Sequence, residues 1–223
     1  MSGNIILHVN PPQIIPVTIQ IGQNLLPELQ IAKWIHEYCN QNGIPPENVF
    51  HDSTGRGSMG TALAQEWSAQ TNPVEFGGAP SNRPVSLDIY ILDPKTRERR
   101  LKLCSEHYIK FVTELWFSVR YTIEAGQMRG LPEDVMEEGC MRKWRTWKDK
   151  KELETKEDMK ERTARSPDLF DWLSVCVEGA RRRGFAVSKL SNGEDDFKNL
   201  EWLDDLRQKQ AEHRGKRRLN FAV

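Results

Sequence analysis

Tyr108, Phe111, Val112, Leu115, Val119 and Ile123 recur at helical spacing over about five turns. A stripe of that length fits a helix laid against an apolar partner, and no run of alternating strand residues could present it. Gly126 and Gly130 close the segment.

The residues ahead of this helix read differently. NIILHV at 4–9 and IIPVTIQI at 14–21 are β-branched runs parted by Asn10, Pro11 and Pro12, which suits two strands and a turn. Pro27 and Glu28 open a second helix, with Ile31, Trp34, Ile35 and Tyr38 on one face and an end near Gly43. A short strand at Asn48 to His51, a glycine turn and a helix carrying Leu63, Ala64 and Trp67 follow. The order strand, strand, helix, strand, helix predicts an α/β fold.

Residues 71–94 read as a loop-rich connector with β-like pieces at Val74–Phe76 and Val85–Leu92. A short helix is expected over 132–140. Trp144–Glu154 mixes basic, aromatic and acidic residues, which predicts an exposed segment with room for a strand. Thr155 with Asp158 fits a capping box. Ser166 as N-cap and Pro167 as first helical residue start a last helix with Leu169, Trp172, Leu173, Cys176, Val177 and Ala180 on its core face. That helix ends in Arg181, Arg182, Arg183 and Gly184. The expected organisation is one domain over 1–186 and a polar tail over 187–223, with a helix near 199–211 and a basic cluster at Arg214, Lys216, Arg217 and Arg218.

Thirty-two Lys and Arg balance 32 Asp and Glu, so the chain has no global pull toward polyanions and any basic surface must be local. Cys39, Cys104, Cys140 and Cys176 lie far apart without a CxxC pair, which predicts reduced thiols rather than a zinc site or disulfide framework. No basic-then-apolar leader and no run of about 20 apolar residues is present, so a cytoplasmic protein with no membrane contact is expected.

Two stretches carry chemistry. In NVFHDSTGRGSMGTALAQEW (48–67), Gly55, Gly57 and Gly60 match GxGxxG after a strand and before a helix. The dinucleotide fingerprint also needs a parallel unit and a later acid, whereas a proline-rich connector follows here. The glycines could equally serve only a tight turn. Neither reading accounts for Asp52, a strand-end carboxylate for which a metal ion is one natural partner.

In ETKEDMKERTARSPDLFDWL (154–173), Asp168 and Asp171 are three residues apart on one helix face. The helix dipole alone favours acids there. Together with Asp52 and with Lys156, Lys160, Arg162 and Arg165 as candidates for DNA-backbone contacts, they also suit a site binding Mg²⁺ through carboxylates and a phosphodiester through cations.

Residues 51–63 (HDSTGRGSMGTAL) and 154–173 resemble the nuclease domain of the large terminase subunit of tailed bacteriophages. The resemblance spans roughly residues 4–184. It implies a ribonuclease-H-like (RuvC-like) fold, a mixed sheet flanked by helices, with Asp52 and Asp168 as two of three metal-binding acidic positions. Asp171 would be a supporting or alternative ligand, all three acids being catalytic, and Gly55 and Gly57 the turn after the strand-end acid. It further implies two Mg²⁺ or Mn²⁺ ions, double-stranded DNA as substrate, and action in the host cytoplasm beside the terminase ATPase part, the small terminase subunit and the portal.

The sequence departs from that pattern in two ways. No Asp or Glu precedes Glu28, so the family's first acid and the central strand bearing it lack a counterpart, and no GxxxxGK[ST] loop occurs. A sheet lacking its first central strand, between residues 4–9 and the strand ending at Asp52, and weak or absent cleavage by this chain alone are therefore expected. The alternative is a non-catalytic DNA-packaging, DNA-binding or protein-interaction module.

Overall fold

In the computed structural model, which describes residues 5–22, 25–54 and 58–188, two helices carry the core. The apolar stripe forms Phe111–Glu124, and the SPD segment leads into Asp168–Arg182. These are α4 and α7, counting helices from the N-terminus. Trp116 and Val119 of α4 meet Phe170, Leu173 and Val177 of α7, and Val135, Met128 and Leu153 complete the cluster. The Trp116 and Phe170 rings lie 4.3 Å apart. Each large apolar side chain buried here contributes about 1.5–3 kcal/mol relative to exposure, so this pair is the main source of cohesion.

The other helices are α1 (Pro27–Gln41), α2 (Ser58–Glu66), α3 (Cys104–His107), α5 (Glu133–Met141) and α6 (Lys156–Thr163). α1 begins at Pro27 as its sequence predicts, because proline lacks only a donor that the first turn leaves unused. It packs on α2 through Ala32, Ala62 and Leu63, the two alanines allowing close approach, with Leu29, Ile35, Met59 and Trp67 around them.

Strands come in pairs. β1 (Leu7–His8) runs parallel to β6 (Met128–Arg129), and β2 (Phe50–Asp52) parallel to β3 (Asn72–Val74). β4 (Tyr90–Leu92) and β5 (Arg99–Leu101) form one antiparallel hairpin, β7 (Trp144–Trp147) and β8 (Lys150–Leu153) another. Among the described residues no sheet exceeds two strands. The mixed α/β class predicted from the sequence is observed, but as four small ladders rather than one sheet.

The run 14–21 is not a strand. Pro16 removes a ladder donor, and among the described residues no strand pairs with the run, which leaves Ile14 83% and Ile21 99% exposed. The side chain of Gln30 ties it down: its Oε1 accepts from Gln20 N at 2.9 Å, and its Nε2 donates to Gln20 O at 3.1 Å. NIILHV shrinks to two paired residues, with Val9 N donating to Arg129 O at 2.9 Å. Gly130 at φ +74° lets that strand end approach, since a Cβ there would sit 2.7 Å from Val9 O.

A polar seam runs beside the apolar core. Glu114 of α4 and Glu178 and Arg181 of α7 are buried, with Arg83 and Ser81 of the connector closing over them. The connector thus packs against the core rather than looping free. The tail from residue 189 onward, including its expected helix and basic cluster, lies outside the described residues, as do Gly55 and Gly57.

Candidate functional site

The start of α7 is where charged side chains converge. Its first-turn donors are satisfied by Glu138 of α5, whose Oε2 accepts from Leu169 N at 2.8 Å and Phe170 N at 3.0 Å. Ser166, expected as the N-cap, stands outside the helix: Pro167 precedes the first helical residue, and Ser166 Oγ donates to Asp168 Oδ1 at 2.7 Å. A capping carboxylate from another element thus displaces the local hydroxyl.

Asp168 and Asp171 share a helix face, as their spacing predicts, and both reach Lys156. The ammonium lies 2.8 Å from Asp168 Oδ1 and 3.2 Å from Asp171 Oδ2. Lys156 is placed by the start of α6, where Thr155 Oγ1 accepts from Asp158 N at 3.1 Å. Asp168 is exposed; Asp171 is buried and also accepts from the Trp116 indole N–H at 2.9 Å, with the buried Arg142 guanidinium 3.8 Å away.

Electrostatics follow from this crowding. Partial burial works against the Asp168 carboxylate, but hydrogen bonds from Lys156 and Ser166 hold it below its ordinary range. Burial likewise opposes the Lys156 charge, and the two aspartates more than offset it, raising its pKa. Glu138 is pushed up, chiefly by burial and further by Asp168 and Asp171, against the pull of its two amide donors.

Two carboxylates that already hold one cation are an all-oxygen donor set suited to Mg²⁺ or Mn²⁺. A two-ion centre is not assembled: among the described residues no group of three or more His, Cys, Asp or Glu side chains could hold a metal. Asp52 sits at the end of β2, exposed, with its Oδ1 accepting from Thr54 N at 2.7 Å to shape the turn, so it does not join Asp168 and Asp171.

No family model matches this sequence, and no curated protein matches it. Among solved structures, the nuclease domain of the large terminase subunit gp2 of bacterial virus Sf6 aligns at 15% identity and TM-score 0.45, over 67% of this chain and 71% of that one. A lysine-to-alanine mutant of the same domain with manganese aligns at 14% identity and TM-score 0.45, over 67% and 72%. The chain is similar to a phage terminase nuclease domain.

The expected DNA-backbone cations divide into two groups. Lys156 is held by the aspartates, and Arg162 forks onto Glu154 at 3.0 and 2.6 Å while donating to Met141 O. Lys160 and Arg165 are exposed. Arg181 is buried on Glu114, Arg182 pairs with Glu178, and Arg183 donates to Asn48 and Glu47 O, so that basic run serves internal structure.

Glu138, Arg142 and Trp116 complete the site and were not legible as members. Trp116 stands next to Leu115 of the apolar stripe, a position that points to packing alone.

Proposed function

We propose that this chain is a divalent-metal-dependent DNA endonuclease module of a phage DNA-packaging terminase, acting on double-stranded DNA in the bacterial host cytoplasm. The observation that carries it is the convergence of Asp168 and Asp171 on one cation position, occupied by the Lys156 ammonium at 2.8 and 3.2 Å. The likeness of residues 51–63 and 154–173 to the terminase nuclease motifs supports it.

On this reading Asp168 and Asp171 hold Mg²⁺ or Mn²⁺, and the ion supplies Lewis-acid polarisation of the scissile phosphate. Lys156, released from the carboxylates, turns to a phosphate oxygen, and Lys160 and Arg165 guide the backbone. Glu138 keeps the first turn of α7 rigid, and Trp116 with Arg142 fixes the Asp171 rotamer. Asp52 contributes only if the turn after β2 rearranges.

The ribonuclease-H-like sheet, its missing central strand and the second ion belong to the same proposal. The uncovered Ile14 and Ile21 support a neighbouring polypeptide beside the N-terminal run. The terminase ATPase part is the proposed neighbour, with the small subunit and the portal as further partners. Cleavage by the chain alone is then weak.

A second reading, a non-catalytic DNA-packaging or interaction module, is favoured by the full engagement of Asp171 with Trp116, Lys156 and Arg142. Nicking of supercoiled plasmid in Mg²⁺ and in Mn²⁺ separates the two. Metal-dependent nicking that Asp168→Asn abolishes supports the nuclease. No nicking by the folded chain, with or without the ATPase part, overturns it in favour of the second reading.

A further inference from the structure

The β7–β8 hairpin stands out from the surface around it. Lys143 to Asp149 are all exposed, and the turn is a two-residue one with Lys148 at φ 49° and Asp149 at φ 61°, the left-handed pair that matches strand twist. Both left-handed positions carry side chains instead of glycine, so charge is placed at the tip despite the backbone cost.

The two faces differ. On the inner face, Trp144 sets its edge on Phe117 at 5.4 Å, and the Lys151 ammonium lies over the Phe117 and Trp144 rings at 4.4 and 4.8 Å. Leu153 enters the core, and Ile109 N donates to Lys151 O at 3.0 Å along the outer edge of β8. On the outer face Trp147 is 53% exposed, with the Arg145 guanidinium 5.7 Å and the Lys148 ammonium 5.9 Å from its ring. Arg145 itself, 70% exposed, reaches back to Glu152 at 2.7 Å.

The root of the hairpin is pinned. Lys143 N donates to Glu154 Oε2 at 2.9 Å, Glu154 N to Lys143 O at 2.8 Å, and Arg142 Nε to Glu154 O at 2.8 Å. A pinned arm holding an indole in water between cations is a preformed platform. Water leaves an indole face uncovered at a cost in apolar area, whereas a flat, electron-rich partner bearing negative charge on either side would cover it.

We propose that the outer face of this hairpin binds single-stranded nucleic acid, stacking an unpaired base on Trp147 with Arg145 and Lys148 on the flanking phosphates. An unpaired base offers the π-face that a duplex keeps within its own stack, so single strands are preferred. The foot of the hairpin carries Arg142, which faces Asp171, and leads through Thr155 into Lys156. Trp147 therefore stands five residues, about 17 Å of extended strand, from Arg142 at the hairpin foot. The inference rests on the DNA-acting reading only for the choice of DNA as probe.

The test is fluorescence anisotropy of a short labelled oligothymidylate with the full chain in EDTA, so that binding is read apart from metal and cleavage. Trp147→Ala should weaken binding about tenfold and Trp147→Phe should recover most of it. Lys148→Gln should lower the salt slope by about one. Because these side chains are exposed, thermal melts should match the wild type. Three results overturn the proposal: equal affinity of wild type and Trp147→Ala, a blunt duplex of the same length binding as tightly, or polyglutamate of equal charge displacing the oligonucleotide as well as unlabelled oligothymidylate does. A chain that binds this way yet never nicks plasmid keeps the platform and loses the nuclease.

Discussion

Arg181 of α7 donates to the wholly buried Glu114 of α4 at 2.6 Å, joining the two core helices by a charge pair at a point where an apolar contact would have sufficed. Glu114 also accepts from Ser81 N at 2.6 Å and Ser81 Oγ at 2.7 Å, and Glu178 takes Arg83, Arg181 and Arg182. Every carboxylate oxygen in this seam has a donor, the condition under which buried ions are tolerated.

Removing one partner should therefore be costly. Glu114→Ala should lose about 3–5 kcal/mol in urea unfolding, because Arg181 is left buried without its counter-charge. The double change Glu114→Gln with Arg181→Met should cost less than the two single changes added together.

Asp171 and Asp168 should separate cleanly in stability. Asp171→Asn leaves the buried Arg142 and the half-buried Lys156 facing a neutral amide and should cost roughly 2–4 kcal/mol. Asp168→Asn weakens the Lys156 pair and the Ser166 hydrogen bond of a solvent-exposed aspartate, and should stay within about 1 kcal/mol of wild type by the same melt. Equal losses would mean that Asp171 does not bear the structural load described here.

His107 should make the chain acid-sensitive. Both ring nitrogens are buried without a hydrogen-bond partner, and burial, aided by Lys102 and Lys151, pushes its pKa down to about 4. The unfolded chain takes up this proton near the ordinary value of 6.5. The contribution of the neutral ring is therefore complete above that value and declines as pH falls toward 4. Urea midpoints taken between pH 7 and pH 4.5 should fall, and His107→Phe should flatten the slope above pH 5.

Gly139 of α5 lies directly under the Phe170 ring, close enough that a Cβ would overlap it. Gly139→Ala should cost about 1–3 kcal/mol through displaced packing. Gly126→Ala, at φ +66° with open space around it, should show backbone strain and no clash. A thermal melt of each variant decides, with Gly139→Ala the lower.

Long periodic helices were the legible part of the fold. α1, α4 and α7 follow their stripes because an apolar face of three or more turns has only one way to be buried. Strands were misjudged where β-branched composition stood in for a partner: 14–21 has the residues of a strand, but among the described residues no strand pairs with it. The segment 144–154, read as exposed with room for a strand, folds as the β7–β8 hairpin, whose second strand and tight turn the mixed charges did not mark. At the site, the i, i+3 spacing placed Asp168 and Asp171 together. The grip of Trp116 and Arg142 on Asp171, and of Glu138 on the Leu169 and Phe170 amides, comes from residues far away along the chain and leaves no local mark.

The pairing of Leu7 with Met128 also sets a schedule. β1 leaves the ribosome ahead of its partner and must wait for a strand made roughly 120 residues later, about 6–24 seconds at ordinary synthesis rates. Through that interval Leu7 and Val9, which pack on the core once β1 is paired, travel uncovered, a natural foothold for a holding chaperone. Slowing translation downstream of β1 should therefore lower soluble yield, and joining β1 late, by circular permutation, should raise it.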